Sequence, residues 1–334
     1  MALIIPQGYD PKLDGRTTEY AIKFIKDTFQ HELVKAMNLQ RVTAPLFVRP
    51  ETGLNDNLNG VERPVSFDAP CIDGATLEIV HSLAKWKRMT LGKYGFRPGE
   101  GIYTDMNAIR RDEEVDNIHS MYVDQWDWEA VIEKKDRELE TLKETVRKIY
   151  KAMRRTAKKV CAEYEEVDNK FKEDIVFVTT QELEDMYPDD TPKERENKFL
   201  REHHAACIMQ IGKTLRSGTR HDGRAPDYDD WELNADIVVY YPLLDMAFEL
   251  SSMGIRVDEN SLVSQINEAG CPQRLEMTFH KMILNKELPY TIGGGIGQSR
   301  LCMLMLNKAH IGEVQQSVWP DEMIKICKEN NIIL

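Results

Sequence analysis

The stretch TIGGGIGQSR, residues 291–300, carries four glycines and runs into the apolar segment SRLCMLMLN, for which we predict a buried helix. A glycine-rich run at the start of a helix suggests a nucleotide site. The dinucleotide fingerprint G-x-G-x-x-G fails, because Gln298 stands where a third glycine should follow Gly293 and Gly295, and this stretch has no Gly-Lys pair for a P-loop. A tight turn or close backbone packing before the helix explains the glycines equally well, so the stretch alone leaves both interpretations open.

The composition of the 334-residue chain is that of a globular protein, with 42% hydrophobic and 30% charged residues. Its net charge of −12 opposes tight, non-specific binding to nucleic acid or to an anionic membrane, although a local basic pocket remains compatible with it. The start, MALIIPQGYD, lacks the basic region of a signal peptide, and no run of 18 apolar residues occurs. We therefore expect a cytoplasmic protein. The six cysteines form no C-x-x-C pair, and we expect buried free thiols: Cys71, Cys161, Cys207, Cys271, Cys302 and Cys327.

Hydrophobic periodicity predicts an irregular order of helices and strands. We predict helices over 19–38, 136–161, 192–206, 259–269 and 275–287, strands over 40–48, 174–180 and 207–212, and a strand running into a helix over 76–91. The segment 234–257 is rich in β-formers and predicts two strands joined around Tyr241-Pro242. This order predicts an α+β fold with an antiparallel sheet, in one compact domain over residues 1–334.

The segment AIRRDEEVDNIHSMYVDQWDWEAV, residues 108–131, predicts a strand, a polar turn and a second strand. Alternation along the second strand puts Tyr122, Asp124, Trp126 and Trp128 on one face and Val123, Gln125, Asp127 and Glu129 on the other. The polar face is either an exposed sheet face with pairing charges or a floor that presents Gln125 and Asp127 to a polar ligand. Arg110, across the hairpin, would then bind an anion, because its guanidinium offers two donors at once.

Two further segments carry dense charge. In VHSLAKWKRMTL, residues 80–91, Ser82 stands at a strand-to-helix junction where it can cap the helix. The basic residues that follow it, among them Lys87, form either a solvated helix end or a site for a substrate carboxylate. The segment RHDGRAPDYDDW, residues 220–231, is either an ordered polar connection or a flexible acidic turn.

Two carboxylates interrupt the apolar strands of DIVVYYPLLDMAFELSSMGIRVD, residues 236–258. A buried carboxylate must be paired or bind a metal. Asp236 and Glu249 on neighbouring strands would suit Mg²⁺, which takes one or two protein carboxylates together with nucleotide phosphates. A buried salt bridge is the alternative.

In this order, the segments resemble the catalytic core of class II aminoacyl-tRNA synthetases, with IRRDE…HSMYVDQWDWE as its second motif and GGGIGQSRLCML as its third. The resemblance is closer still to the aspartate–ammonia ligases, the ammonia-dependent asparagine synthetases, and runs from about Glu19 to Trp319. It rests on HSLAKWKR, YVDQWDWE, RAPDYDDW, FELSSMGIRVD and TIGGGIGQSRL. It implies an antiparallel sheet flanked by helices, a homodimer, and the conversion of aspartate, ATP and ammonia to asparagine, AMP and pyrophosphate through a β-aspartyl adenylate.

The resemblance also implies a role for each matching residue. The catalytic residues would be Asp56 near the attacking ammonia, Arg110 on the α-phosphate and the reacting carboxylate, and Gln125 at the same end of the amino acid. Aspartate would be bound by Ser82, Lys87, Asp127 and Ser252, ATP by Arg110, Glu113, Gly295 and Arg300, and Mg²⁺ by Asp236 and Glu249. The bare glycine strand would let the adenine and ribose lie close to the sheet.

Three positions depart from the family pattern. Glu-Thr-Gly at 51–53 and the following LND differ from the bacterial form, which makes Asp56 the weakest assignment. Arg111 stands where proline is expected, so that either Arg110 or Arg111 can be the phosphate ligand, although the hairpin register favours Arg110. The link across 227–236 is short, and we expect a shortened loop there to affect closure or the choice between ammonia and glutamine.

Two other classes of protein remain for comparison. An aspartyl- or asparaginyl-tRNA synthetase would need an anticodon-binding domain, for which the chain has no spare segment of about 100 residues, so no tRNA partner is expected. A regulatory paralogue without catalysis would be indicated by the loss of Arg110, Arg300 or the two carboxylates, all of which are present.

Overall fold

A computed structural model describes residues 3–58, 60 and 62–334 of the chain. Its largest element is an eight-stranded sheet. In spatial order the strands are β1 (Leu39–Arg41), β5 (Gly101–Ile109), β6 (Tyr122–Val131), β11 (Thr291–Gly297), β10 (Met246–Arg256), β9 (Asp229–Tyr241), β8 (Ala205–Met209) and β7 (Val176–Thr179). All neighbours are antiparallel except the outermost pairs, β1–β5 and β7–β8. The predicted α+β fold with an antiparallel sheet is thus confirmed.

The remaining elements surround this sheet. A small sheet contains β2 (Phe47–Val48), β4 (Ala75–Ile79) and β3 (Ser66–Ala69), in that order. The helices are α1 (Gly15–Met37), α2 (Ala84–Tyr94), α3 (Leu139–Glu163), α4 (Thr180–Met186), α5 (Pro192–His203), α6 (Glu259–Glu268), α7 (Thr278–Leu284), α8 (Gln298–Met305) and α9 (Asp321–Glu329). Among the helices of the described residues, none combines the length and apolarity that a membrane crossing requires.

The main core lies on the sheet face that α1 and α3 cover. Helix α1 starts where the Asp14 carboxylate accepts the Thr17 amide at 2.9 Å, and it turns its apolar stripe towards α3 and the sheet. Phe29 of α1 packs on Trp126 of β6 with ring centroids 4.7 Å apart. Because side chains alternate along a strand, the same β6 that buries Trp126 and Trp128 in this core turns its polar face the other way.

Five local expectations are wrong or need adjustment. Four of the six free thiols are buried as expected, but Cys71 is exposed and Cys161 is half-buried. Residues 40–48 form two short strands in different sheets, because Pro45 lacks the amide proton that a continuous ladder needs. Ser82 does not cap α2: the N-cap residue is Leu83, which makes no side-chain capping bond. The stretch 229–236 is part of strand β9 and not a shortened loop. The basic end of α2 is not solvated, since Lys85, Lys87 and Arg88 are all buried.

Candidate active site

A cavity of about 450 Å³ lies on the polar face of the sheet, over the central strands β6, β11, β10 and β9. All twelve residues predicted from the sequence line it: Asp56, Ser82, Lys87, Arg110, Glu113, Gln125, Asp127, Asp236, Glu249, Ser252, Gly295 and Arg300. Residues that are far apart in the chain therefore meet in one place. Their individual roles stay predictions.

The floor of the cavity holds a buried lysine and a buried carboxylate that bind each other. Lys87, on α2, donates to Asp127 Oδ1 of β6, to the Trp128 carbonyl at 2.8 Å and to the Gly294 carbonyl at 3.1 Å. An ammonium group has three protons, so these contacts satisfy all of them. Burial shifts the pKa of Lys87 down and that of Asp127 up, so the charge on each group depends on the other.

Next to this pair lies a second buried ion network that the sequence interpretation missed. Arg256 Nη2 is 2.6 Å from Glu129 Oε2 and its Nε is 2.9 Å from Oε1, while its Nη1 binds Asp229. Thr291 donates to Glu129 Oε1 at 2.7 Å. Burial alone would lower the pKa of Arg256, but the two carboxylates raise it above its ordinary value. A lone arginine at the end of an apolar strand demands a buried partner, and that signal could have identified Arg256 from the sequence.

The glycine strand fits against these polar side chains. A Cβ atom at Gly293 would overlap the Glu129 carboxylate and lie 2.6 Å from Arg256 Nη2. A Cβ atom at Gly295 would overlap the Gln125 amide, with 2.7 Å to its Cδ. The bare backbone at these two positions is therefore needed by the protein's own side chains, and close approach of a base and ribose is not required to explain it.

Two carboxylates on adjacent strands line the cavity, Asp236 on β9 and Glu249 on β10. Arg224 Nη2 lies 2.6 Å from Asp236 Oδ1, and Arg300 Nη1 lies 3.4 Å from Glu249 Oε2. Burial and the charge of Glu249 raise the pKa of Asp236 to about 7, although Arg224 opposes this shift. The surrounding protein would raise the pKa of Glu249, whose side chain is 45% exposed, but Arg300 and Arg224 bring it below its ordinary value.

The donor chemistry at Asp236 and Glu249 fits Mg²⁺. Both offer hard carboxylate oxygens, and both line the cavity. The alternative of a salt bridge is also present, since each carboxylate has an arginine partner. The described residues contain no cluster of three or more His, Cys, Asp or Glu side chains suited to a metal.

Arg110 is a cation that faces the cavity, and its charge helps to lower the pKa of Glu249. It makes no ion pair with a described residue, and its buried Nε has no hydrogen-bond partner. Arg111 is exposed and does not line the cavity. The geometry thus favours Arg110 of the two arginines, as the hairpin register did. Glu113 lies on the same connection, with its amide 3.2 Å from the Arg110 carbonyl.

Hydrogen bonds among Asn55, Asp56 and His81 fix the turn that carries Asp56. Asn55 Oδ1 accepts the amides of Asp56 and His81 at 3.0 and 2.9 Å, and His81 Nδ1 lies 3.0 Å from the Asp56 carbonyl. Asp56 itself accepts the Leu58 amide at 2.8 Å and is 2% exposed. The carboxylate is therefore fixed at the edge of the cavity.

The segment 220–228 forms an ordered wall of the cavity and not a flexible acidic turn. Fully buried Asp227 anchors it through contacts of 3.0 Å with Lys85 Nζ and with His280 Nε2. From this wall Arg224, a second residue that the sequence interpretation missed, donates to both Asp236 and the Ser252 hydroxyl. Its position inside a loop rich in aspartate gave no local sign of this contact.

Structural comparison identifies the fold. The chain is similar to an Entamoeba histolytica asparaginyl-tRNA synthetase solved with asparaginyl-adenylate (TM-score 0.66, 10% identity, 92% of this chain and 69% of that one). It is also similar to the asparaginyl-tRNA synthetase of Pyrococcus horikoshii with the same ligand (TM-score 0.65, 15% identity, 91% and 70%). The fold is that of class II aminoacyl-tRNA synthetase catalytic domains.

Sequence comparison narrows this class to one family. The sequence model of the aspartate–ammonia ligase family matches residues 16–331. The chain is 65% identical to the aspartate–ammonia ligase of Ruminiclostridium cellulolyticum, over 100% of this chain and 99% of that protein. It is 61% identical to the Clostridium tetani enzyme of the same name, over 99% and 97%. The chain belongs to the aspartate–ammonia ligase family.

Proposed function

We propose that the protein joins ammonia to the side chain of L-aspartate at the expense of ATP, giving L-asparagine, AMP and pyrophosphate. Family membership over nearly the full chain supports this reaction. The single structural observation that supports it best is the cavity in which Arg110, the polar floor and the carboxylate pair occur together.

The reaction has two steps. In the first, an oxygen of the aspartate side-chain carboxylate attacks the α-phosphate, and pyrophosphate leaves. In the second, ammonia attacks the activated carbonyl, the C–O bond to AMP breaks, and a proton is lost from nitrogen. Arg110, whose buried Nε has no hydrogen-bond partner, stabilises the charge that develops on the α-phosphate and on the reacting carboxylate in both steps. Asp56 binds the incoming ammonia or accepts its proton.

The floor orients aspartate so that its side chain is the reacting end. Asp127 accepts the substrate's α-ammonium, Lys87 and Ser82 hold its α-carboxylate, and Gln125 and Ser252 contact the amino acid from the sheet. Lys87 and Asp127 bind each other in the protein. Substrate binding replaces this ion pair with two, one between Lys87 and the α-carboxylate and one between Asp127 and the α-ammonium. The binding energy at this end serves orientation, because the group that is gripped does not react.

ATP binds at the other end of the cavity, with Glu113 and Gly295 along the nucleotide and Arg300 at the γ-phosphate. The solved relatives hold an aminoacyl-adenylate on the same fold, which supports ATP use here. Asp236 and Glu249 would hold Mg²⁺, which would supply positive charge for the phosphates. Arg300, which contacts Glu249, would then bind the nucleotide.

We further propose a single catalytic domain that works as a cytoplasmic homodimer without a tRNA partner. The net charge of −12 supports the absence of tRNA. Size-exclusion chromatography with light scattering measures the oligomeric state, and a mass of 38.6 kDa, that of one chain, would contradict the dimer.

The decisive experiment supplies purified protein with L-aspartate, Mg-ATP and ammonium, and measures asparagine and nucleotides by chromatography. We expect equal amounts of asparagine and AMP, and no asparagine when ammonium is omitted. ADP in place of AMP, or no asparagine, would contradict the proposal. Replacing ammonium with glutamine tests the nitrogen donor, and added tRNA with labelled aspartate tests the synthetase alternative.

A further inference from the structure

Asn117 is a buried amide in the connection between β5 and β6, and it does not itself line the cavity. Its side chain is bonded to main-chain groups from both ends of the protein. Its Oδ1 accepts the Ile4 amide at 2.7 Å, and its Nδ2 donates to the Ile4 carbonyl and to the Ala309 carbonyl, both at 2.8 Å. The Asn117 carbonyl accepts the Ile311 amide at 2.8 Å, and the residue is 2% exposed. One residue thus joins the N-terminal segment, residues 3–9, to the β5–β6 connection and to residues 309–311.

The residues around Asn117 face the phosphate end of the cavity. Ile118 and His119 line it. Arg300 Nε lies 3.4 Å from the Ile118 carbonyl. Asp116 Oδ1 accepts the amides of Ile118 and His119 and contacts the His119 Nδ1, all within 2.9 Å, which fixes the imidazole against the loop. The connection that Asn117 anchors therefore holds Arg110 at one end and supports Arg300 at the other.

The N-terminal segment is itself fixed at its other end. The Tyr9 hydroxyl donates to Glu313 Oε1 at 2.8 Å, and Tyr9 packs in a small apolar cluster with Ala309 and Cys327. The segment therefore behaves as a strap with two attachments, one at Tyr9 and one through Ile4 to Asn117. An ordered strap limits the movement of the connection to which it is bonded.

We infer that Asn117 is a positioning residue for the ATP half of the cavity, and that the strap of residues 3–9 acts through it. The inference rests on the proposed function for the identity of the nucleotide. The aspartate half is built on β6, β11 and α2, which Asn117 does not contact through its side chain. Loss of the amide should therefore weaken ATP and leave aspartate little affected.

The test compares Asn117→Ala, Ile4→Pro and their combination. Proline at position 4 removes the amide that Asn117 accepts but leaves Asn117 in place, and Ile4→Ala is its matched control because the amide remains. Ile4 is 37% exposed, so its side chain has little packing to lose. The Kd for Mg-ATP is measured by calorimetry without turnover, and KM for ATP and for aspartate are measured separately.

We expect a roughly tenfold rise in the Kd and KM for ATP in Asn117→Ala, because a small displacement of binding groups is costly, with the KM for aspartate within about twofold. Ile4→Pro should weaken ATP in the same direction, Ile4→Ala should not, and the double variant should resemble Asn117→Ala alone, since both changes remove one shared contact.

Asn234→Ala controls for a merely structural effect. Asn234 is fully buried and binds the amide and carbonyl of Ile211, both at 2.8 Å, and it does not line the cavity. It should lose stability and keep its ATP affinity. Unchanged ATP affinity in folded Asn117→Ala, equal weakening of ATP and aspartate, or additive effects of the two changes would overturn the inference. A wild-type protein that binds Mg-ATP but makes no asparagine would contradict only the proposed function, whereas one that does not bind Mg-ATP would overturn both.

Discussion

Lys87 and Asp127 bind each other at the floor of the cavity, and their side chains are only 1% and 4% exposed. The contact joins helix α2 to strand β6. Removal of one partner from such a pair leaves the other charge buried and uncompensated.

Asp127→Asn is therefore expected to affect stability and substrate binding together. The free energy of unfolding should fall by about 3–5 kcal/mol in urea denaturation, the range for a broken buried pair. The KM for aspartate should rise by more than roughly tenfold, while Mg-ATP binding stays close to wild type. The exposed Lys23–Asp27 pair on α1 supplies the control, and Asp27→Asn should change stability by less than about 1 kcal/mol. An unchanged KM for aspartate would remove Asp127 from the substrate site.

Substitution of the two neighbouring arginines, Arg110 and Arg111, should have different effects on activity. Arg110→Ala is expected to abolish aspartate-dependent exchange of pyrophosphate into ATP, because Arg110 lines the cavity with a buried Nε that has no hydrogen-bond partner. Arg111→Ala should retain exchange within a few-fold of wild type, because Arg111 points to solvent. Circular dichroism verifies that both variants are folded. Retained exchange in Arg110→Ala, or its loss in Arg111→Ala, would reverse the assignment.

The glycine strand predicts an order of destabilisation. Gly293→Ala should cost about 1–3 kcal/mol or more, because a methyl group there would displace the Glu129–Arg256 ion pair. Gly295→Ala should cost less stability, since the Gln125 amide can rotate away, but it should lower activity by moving that amide. Gly15, in the first turn of α1, has nothing within 4 Å of a Cβ atom, and Gly15→Ala should be neutral or slightly stabilising. Urea midpoints rank the three variants, and equal destabilisation at 293 and 15 would contradict the packing argument.

His310 predicts part of the acid sensitivity. Burial lowers the pKa of His310 from the ordinary 6.5 to about 4, although the charge of Asp116 opposes the shift. Its buried Nε2 has no hydrogen-bond partner. Between pH 6.5 and 4 the unfolded chain binds a proton at this residue that the folded chain does not bind. The contribution of His310 to the free energy of unfolding is therefore complete above pH 6.5 and is lost as the pH falls towards 4. The loss attributable to this residue is about 3 kcal/mol.

His310→Gln should therefore flatten the decline of the unfolding free energy between pH 6.5 and 4. His31→Gln, at an exposed position on α1, should leave the slope as in wild type. Parallel curves for wild type and His310→Gln would show that another group causes the acid loss.

Substitution of either proposed metal ligand, Asp236 or Glu249, should increase the Mg²⁺ requirement of the reaction. Asp236→Asn and Glu249→Gln are each expected to raise the Mg²⁺ concentration needed for half-maximal activity by roughly tenfold or more, because each removes one of two anionic ligands. The KM for aspartate at saturating Mg²⁺ is the comparison. An unchanged Mg²⁺ requirement in either variant would assign that residue to its arginine partner alone.

Sequence patterns identified the elements whose signal is local. The apolar stripe of α1 and the alternation of β6 each lie within a few turns or residues, and the structure agrees with both. The resemblance to the ligase family assigned the twelve residues to one site, and the structure brings them together in the cavity. The break between β1 and β2 also has a local cause, because Pro45 lacks the amide proton that a continuous strand needs.

Long-range pairing lay beyond these patterns. Glu129 and Arg256 are 127 positions apart, and no feature of either segment says which residue satisfies the other. For the same reason the buried state of Lys85 could not be inferred, because its partner Asp227 lies 142 positions further along the chain. A charged helix end is buried when another element of the fold covers it. The hydrophobic periodicity of the helix itself does not indicate which element does so.

The arginine partners of Asp236 and Glu249 have a consequence for the order in which ligands arrive. A metal ion that approaches alone must displace Arg224 and Arg300 from the carboxylates and leave two guanidinium groups uncompensated. A metal ion that arrives with triphosphate brings new anions for the same arginines. The arginine-paired carboxylates thus discriminate against the bare cation and favour entry of metal and nucleotide as one unit, which predicts that Mg²⁺ titrated without ATP gives little binding heat.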